Sequence, residues 1–193
     1  MHARFLSLPA PRELLALMLL LVAMWSTRFH YLDPAIDLPD ASWAVFFLAG
    51  VLTRHWAIPA LLLLNAGAID YLALLDGVSS YCVTPAYPFL IPTYLTLWAC
   101  GRWVSLAQLG SAQSFVRAAI ALPLGVVGAF VISNASFYAL AGYFEDMSAL
   151  AYANAVARYL PGYLMSTALY SALALGFVAL VRAHASARSA RQP

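Results

Sequence analysis

The stretch WAIPALLLLNAGAIDYLALL, residues 56–75, decides the fold. Asp70 is its one charged residue, and twenty predominantly apolar residues wound as a helix at 1.5 Å each cover the roughly 30 Å of a bilayer's hydrocarbon core. Five further apolar runs flank it, at 12–31, 41–54, 83–101, 116–141 and 158–182. The run 41–54 is short, so it is tilted, buried among its neighbours or only partly spanning. The first run resembles a signal peptide, with Arg12 ahead of Leu14–Met24. It has no small-x-small cleavage site, however, and is read as a helix. The expectation is an all-α integral membrane protein of six transmembrane helices. Residues 1–182 form one domain, and 183–193 form a solvated, partly disordered cytoplasmic tail.

Composition agrees. Of 193 residues 64% are hydrophobic and 9% charged, against about 25% charged in ordinary soluble domains. Mean hydropathy is +0.81. The net charge of +2 comes from dispersed arginines, which form no basic face for nucleic acid. The chain contains no lysine. That excludes a phosphate-binding P-loop of its own and a Schiff-base cofactor. Uphill movement of a substrate would therefore need a partner or an ion gradient.

The arginines orient the six spans. Arg4, Arg12, Arg54, Arg102, Arg117, Arg182, Arg188 and Arg191 fall on one side, and only Arg28 and Arg158 on the other. By the positive-inside rule both termini are cytoplasmic. Asp33, Asp37, Asp40, Asp76, Glu145 and Asp146 then lie outside. Trp25 and Trp43 fall near the outer boundary, and Trp56, Trp98 and Trp103 near the inner one. Small residues recur every four positions at Ala121, Gly125 and Ala129, and again at Ala168, Ala172 and Gly176. Such stripes let helices approach closely, within the bundle by preference or against a partner subunit.

The residues that carry chemistry gather on the outer side. Asp70 is an intramembrane acid, which is costly and faces a cavity or a partner, Arg158 for instance. His30 and Tyr31 close the first run. Tyr138, Tyr143, Tyr152, Tyr159 and Tyr163 surround the fifth loop, suggesting a large, flat, apolar ligand with a polar rim. Cys82 lies in Ser79-Ser80-Tyr81-Cys82-Val83-Thr84-Pro85-Ala86-Tyr87-Pro88. Cys100, the only other cysteine, is 18 residues on, about 27 Å along a helix and beyond disulfide reach. Pro85 and Pro88 disfavour a regular helix start, and irregular backbone at that depth is tolerated where it lines a cavity. A thiolate is a soft ligand for a transition metal. One cysteine and one histidine cannot complete a four-ligand site, but they can supply an axial ligand to a metal already held in a macrocycle.

The stretch from Ser80 to Pro88, with His30, Asp70 and Arg158, resembles the BtuM-type cobalamin transporters, small relatives of the S-components of energy-coupling factor (ECF) vitamin transporters. The resemblance covers essentially the whole chain. It implies a six-helix S-component-like bundle in a bacterial inner membrane, taking up cobalamin or a precursor such as cobinamide from outside. It also implies that Cys82 ligates the corrin cobalt while His30, Asp70, Tyr87 and Arg158 shape or contact the site. Thiolate coordination displaces whatever held that axial position, so removal of cyanide or water by Cys82 would accompany binding; whether that makes the chain an enzyme is left open. The sequence departs from typical S-components at the first run, where Ala16 and Ala23 stand seven apart instead of in an Ala-x-x-x-Ala motif. Whether a shared ECF energising module is the partner therefore stays open. Two other readings are a cysteine-dependent membrane enzyme, with Cys82 as nucleophile and His30 as base, and a structural or assembly subunit without ligand.

Overall fold

A computed structural model describes residues 10–28, 38–104 and 111–189. The described residues are helical and contain no strand. Seven helices follow one another: α1 Pro11–Arg28, α2 Ser42–Leu52, α3 Ala57–Leu75, α4 Leu90–Trp103, α5 Ala112–Leu140, α6 Ala149–Ala157 and α7 Leu160–Ser189. Three of them, α3, α5 and α7 as far as Ala185, are long and apolar enough to cross a membrane. The others fall short for separate reasons. α1 has 18 residues but carries Arg12, Glu13 and Arg28, while α4 has 14 residues and α2 has 11.

α2 is the axis of the bundle. Every residue from Ser42 to Val51 is buried, so the helix has no solvent or lipid face. An 11-residue helix is about 16 Å long and can be apolar all round only if its neighbours wrap it. Here α1, α3, α4, α5 and α7 do so, with α4 the most extensive contact. Of the alternatives for the short run, burial is the outcome.

The α2–α4 crossing is close because glycines face each other. A Cβ on Gly50 would lie 2.1 Å from the Trp98 carbonyl oxygen, and one on Gly101 would lie 2.0 Å from the Phe47 carbonyl oxygen. Backbone meets backbone here. On the far side of α4, the stripe Ala121, Gly125 and Ala129 of α5 is buried, and a Cβ on Gly125 would touch Cys100 at 3.1 Å. That stripe packs within the bundle. The α7 stripe does not: Ala168, Ala172 and Gly176 are exposed, and the buried positions are Thr167 and Ser171.

Several boundaries differ from the sequence reading. The fourth helix starts at Leu90, seven residues later than expected, because Pro85 and Pro88 lie in a segment of short turns. α7 continues to Ser189, so residues 183–189 extend the last helix beyond the expected boundary at 182. The fifth loop contains α6, which was not anticipated; the Ser148 hydroxyl caps it by accepting the Ala151 N–H at 3.3 Å. Trp43 and Trp98 are buried inside the bundle, packed at a tilt against Tyr163 and Trp56.

Candidate functional site

α3 ends in a way that aims the chain. The Gly77 N–H bonds the Leu74 carbonyl at 3.2 Å and the Val78 N–H bonds the Ala73 carbonyl at 3.0 Å, with Gly77 at φ 93°. This is a Schellman ending, whose left-handed position suits glycine because it has no Cβ. The chain then runs through single-turn 3-10 segments at Ser80–Cys82 and Tyr87–Phe89 before α4. The Ser79 hydroxyl starts the first by accepting the Tyr81 N–H at 3.3 Å. Thr84 closes the middle, its hydroxyl accepting from Ala86 N–H and its carbonyl from Tyr87 N–H.

This turn segment forms one wall of a cavity of about 310 Å³. Cys82 and Tyr87 lie on that wall. Phe130, Ser133, Asn134 and Phe137 form the opposite one, spaced so that one face of α5 presents all four. Tyr159, just before α7, and Tyr163, in its first turn, complete it. Tyr163 packs at a tilt against Trp43 of the buried α2, 4.4 Å between ring centroids, which ties the cavity to the core. Cys82 is exposed and makes no disulfide.

An aromatic cluster rims the cavity. Tyr81 and Tyr143 stack almost parallel, 4.5 Å apart and 7° from coplanar, and the Tyr143 hydroxyl donates to the Tyr81 carbonyl at 3.3 Å. Phe137, Phe144, Tyr138 and Tyr152 continue the cluster into α6. The Tyr152 hydroxyl donates to Asn134 at 3.3 Å, and burial, with a smaller contribution from Tyr81, raises its phenol above the usual tyrosine value. Of the tyrosines expected around the fifth loop, Tyr159 and Tyr163 line the cavity, while Tyr138, Tyr143 and Tyr152 belong to the aromatic cluster beside it.

Behind Tyr87 lies a charged knot. The Tyr87 hydroxyl donates to Asp70 Oδ2 at 2.8 Å. Arg28 grips the same carboxylate with two parallel bonds, Nε to Oδ1 and Nη2 to Oδ2, both 2.7 Å. Arg28 Nη1 reaches the Tyr94 hydroxyl at 2.7 Å, Ser42 at 3.0 Å and Asp40 at 3.3 Å. Asp70's partner is thus Arg28 and not Arg158, because α1 packs against α3 and ends beside it. Arg158 lies over the Tyr159 ring at 4.9 Å and donates to its hydroxyl at 2.9 Å.

Of the five residues expected at the site, Cys82 and Tyr87 share the cavity, Asp70 stands directly behind it, and Arg158 touches it through Tyr159. His30 lies outside the described residues. Among those residues no group of three or more His, Cys, Asp or Glu side chains could hold a metal ion. The donor set is a single soft sulfur in an aromatic cavity. It does not suit a bare ion, but it does suit a metal whose other positions are already filled. Arg28 was missed as a site residue. Its signal was present, since Arg28 is one of two arginines against the charge bias and closes a helix in a chain with one acid deep in an apolar run. No protein-family model matches the chain, and comparison with curated proteins finds no match.

Proposed function

We propose that this protein is a six-span membrane transporter, with cytoplasmic termini in a bacterial inner membrane, that captures a cobalt corrinoid from the outer side. Cobalamin or cobinamide is the cargo, and Cys82 is the axial ligand to its cobalt. The observation that carries the reading is the exposed thiol of Cys82 in the wall of an aromatic-lined cavity, on irregular backbone at the end of an apolar helix. Irregular backbone beside membrane helices is tolerated where it lines such a space. The cavity is at the small end of ligand pockets, so a corrinoid would seat one face against Cys82 and extend past the Tyr81–Tyr143 rim. In that pose the aromatic walls contact the macrocycle, and Ser133, Asn134 and Ser136 offer polar groups to its amides.

Ligation is a substitution at cobalt. The cobalt–sulfur bond forms as the thiol proton passes to solvent, and the former axial ligand, water or cyanide, leaves with its electron pair. No redox change is needed. Inward transport belongs to this proposal as well; a shared ECF energising module is one way to drive it, and action without one is the other.

Purification in detergent from cells supplied with cobalamin tests it. The expected result is a red protein whose absorption spectrum differs from that of free cobalamin, with the difference lost in Cys82→Ala. A colourless wild-type protein refutes corrinoid binding, and an identical bound spectrum in Cys82→Ala refutes thiolate ligation. Growth of a strain dependent on imported cobalamin then separates uptake from binding.

A further inference from the structure

We infer that Arg28, which does not itself line the cavity, is a positioning residue that holds Tyr87 and the Cys82 turn segment in place through Asp70. The inference rests on the corrinoid reading for one of its two readouts only.

Between Ser80 and Phe89 the turn segment is held mainly by bonds to itself, Val83 N–H to Ser80, Thr84 N–H to Cys82, Tyr87 N–H to Thr84 and Phe89 N–H to Ala86. Such local turns set its shape but not its place in the fold. Besides the Thr93 hydroxyl, which donates to the Phe89 carbonyl where the segment runs into α4, two side-chain hydrogen bonds among the described residues anchor it to other elements. At one end Tyr143 bonds the Tyr81 carbonyl, in an exposed setting. At the other the Tyr87 hydroxyl bonds Asp70, part-buried. The second is the stiffer anchor, because the carboxylate it uses cannot turn.

That rigidity comes from Arg28. A carboxylate near a helix end has two rotatable bonds, and the paired 2.7 Å contacts from the guanidinium fork fix both oxygens in one plane. Arg28 is fixed in turn, its side chain 13% exposed. The Tyr94 hydroxyl that it contacts belongs to a ring stacked on fully buried Phe46, 4.3 Å away and 9° from parallel. Ser42 is held by Asp40, which accepts both its N–H at 2.8 Å and its hydroxyl at 2.6 Å. A continuous line therefore runs from the α2 core through Tyr94, Arg28, Asp70 and Tyr87 to the cavity wall. Only arginine serves here, since a lysine ammonium is a point charge that cannot bond both carboxylate oxygens in plane while holding Tyr94 and Ser42.

The test is a double-mutant cycle of Arg28→Lys and Tyr87→Phe in the full chain in detergent, with Cys100→Ala so that Cys82 is the single thiol. One readout is the alkylation rate of ligand-free Cys82 by a maleimide. The other is cobinamide affinity by absorption titration. Each single change is expected to alter both by about tenfold, as for loss of one hydrogen bond to a charged group, with the double variant no worse than either single. A purely structural Arg28 would lower the melting temperature and leave the two effects multiplying. Multiplying effects, or an unchanged alkylation rate in Arg28→Lys, overturn the inference. If the wild-type protein binds no cobinamide, the transport proposal falls and the alkylation cycle alone decides Arg28. Should Arg28→Lys not fold, Asp70→Asn takes its place in the cycle with the same expected and refuting results.

Discussion

Substitution of Gly101 by alanine is expected to be among the most damaging single-methyl changes in this protein. The added Cβ would sit 2.0 Å from the Phe47 oxygen, 2.9 Å from the Phe47 carbonyl carbon and 3.3 Å from the Gly50 Cα. Relief to an ordinary contact of 3.4 Å requires the α2 and α4 backbones to part by roughly 1.4 Å, and a gap of even about 1 Å forfeits a quarter to a half of the dispersion energy of the atoms that line it. α2 cannot retreat, because Phe46 and Phe47 are fully buried and α1, α3, α5 and α7 close its other sides. Overpacking of this kind costs about 1–3 kcal/mol and sometimes more. Because the obstacle is backbone and not a mobile side chain, the upper part of that range applies. For a chain of this size the shift is on the order of 6–12 °C in melting temperature, read from tryptophan fluorescence of the protein in detergent. Gly50→Ala meets the same crossing from the other side, 2.1 Å from the Trp98 oxygen. The double variant should therefore cost less than the sum of the two, since the first methyl has already opened the space. Gly176→Ala is the control: nothing lies within 4 Å of its Cβ, and removing a helical glycine should leave stability unchanged or raise it slightly. A Gly101→Ala protein that melts within about 2 °C of wild type would show that the helices do not cross as closely as described.

Other expectations follow from the site. A membrane-impermeant maleimide should modify about one thiol per native chain, at exposed Cys82, and Cys82→Ser should abolish fast labelling because Cys100 is half-buried against α5; equal labelling of both cysteines would contradict the packing. Tyr143→Ala removes the stack on Tyr81 and the bond to its carbonyl, and should weaken cobinamide binding by about fivefold to tenfold while moving the melting temperature little; unchanged affinity would remove the rim from the site. Gly77→Ala places a side chain at φ 93° and should cost about 1 kcal/mol, seen as a lower melting temperature, with faster alkylation of Cys82 as the exit from α3 loosens; no change in either measurement would mean the Schellman ending does not aim the turn.

How far the site was legible depends on whether its determinants are local. Pro85 and Pro88 announced irregular backbone beside Cys82, since proline acts on its own turn and the residue before it. Their effect on the start of α4 was underestimated by seven residues because apolar content continued through them. The α5 stripe was read correctly as packing, whereas the chemically similar α7 stripe faces outward. Spacing alone carries no information about which side of a helix meets the bundle. Asp70 was visible as an anomaly. Its partner was not, because Arg28 and Arg158 are equivalent as charges in the sequence and only the contact of α1 with α3 distinguishes them.

Apolar run length and charge depletion were enough to establish a helical protein suited to a membrane, because backbone groups in hydrocarbon must bond within their own segment. Which helix lies at the centre, where glycines let two backbones meet, and which arginine clamps Asp70 behind Tyr87 were decided in three dimensions. Those outcomes depend on contacts between segments tens of residues apart, whose energies are set by shape and pairing rather than by the composition of either segment.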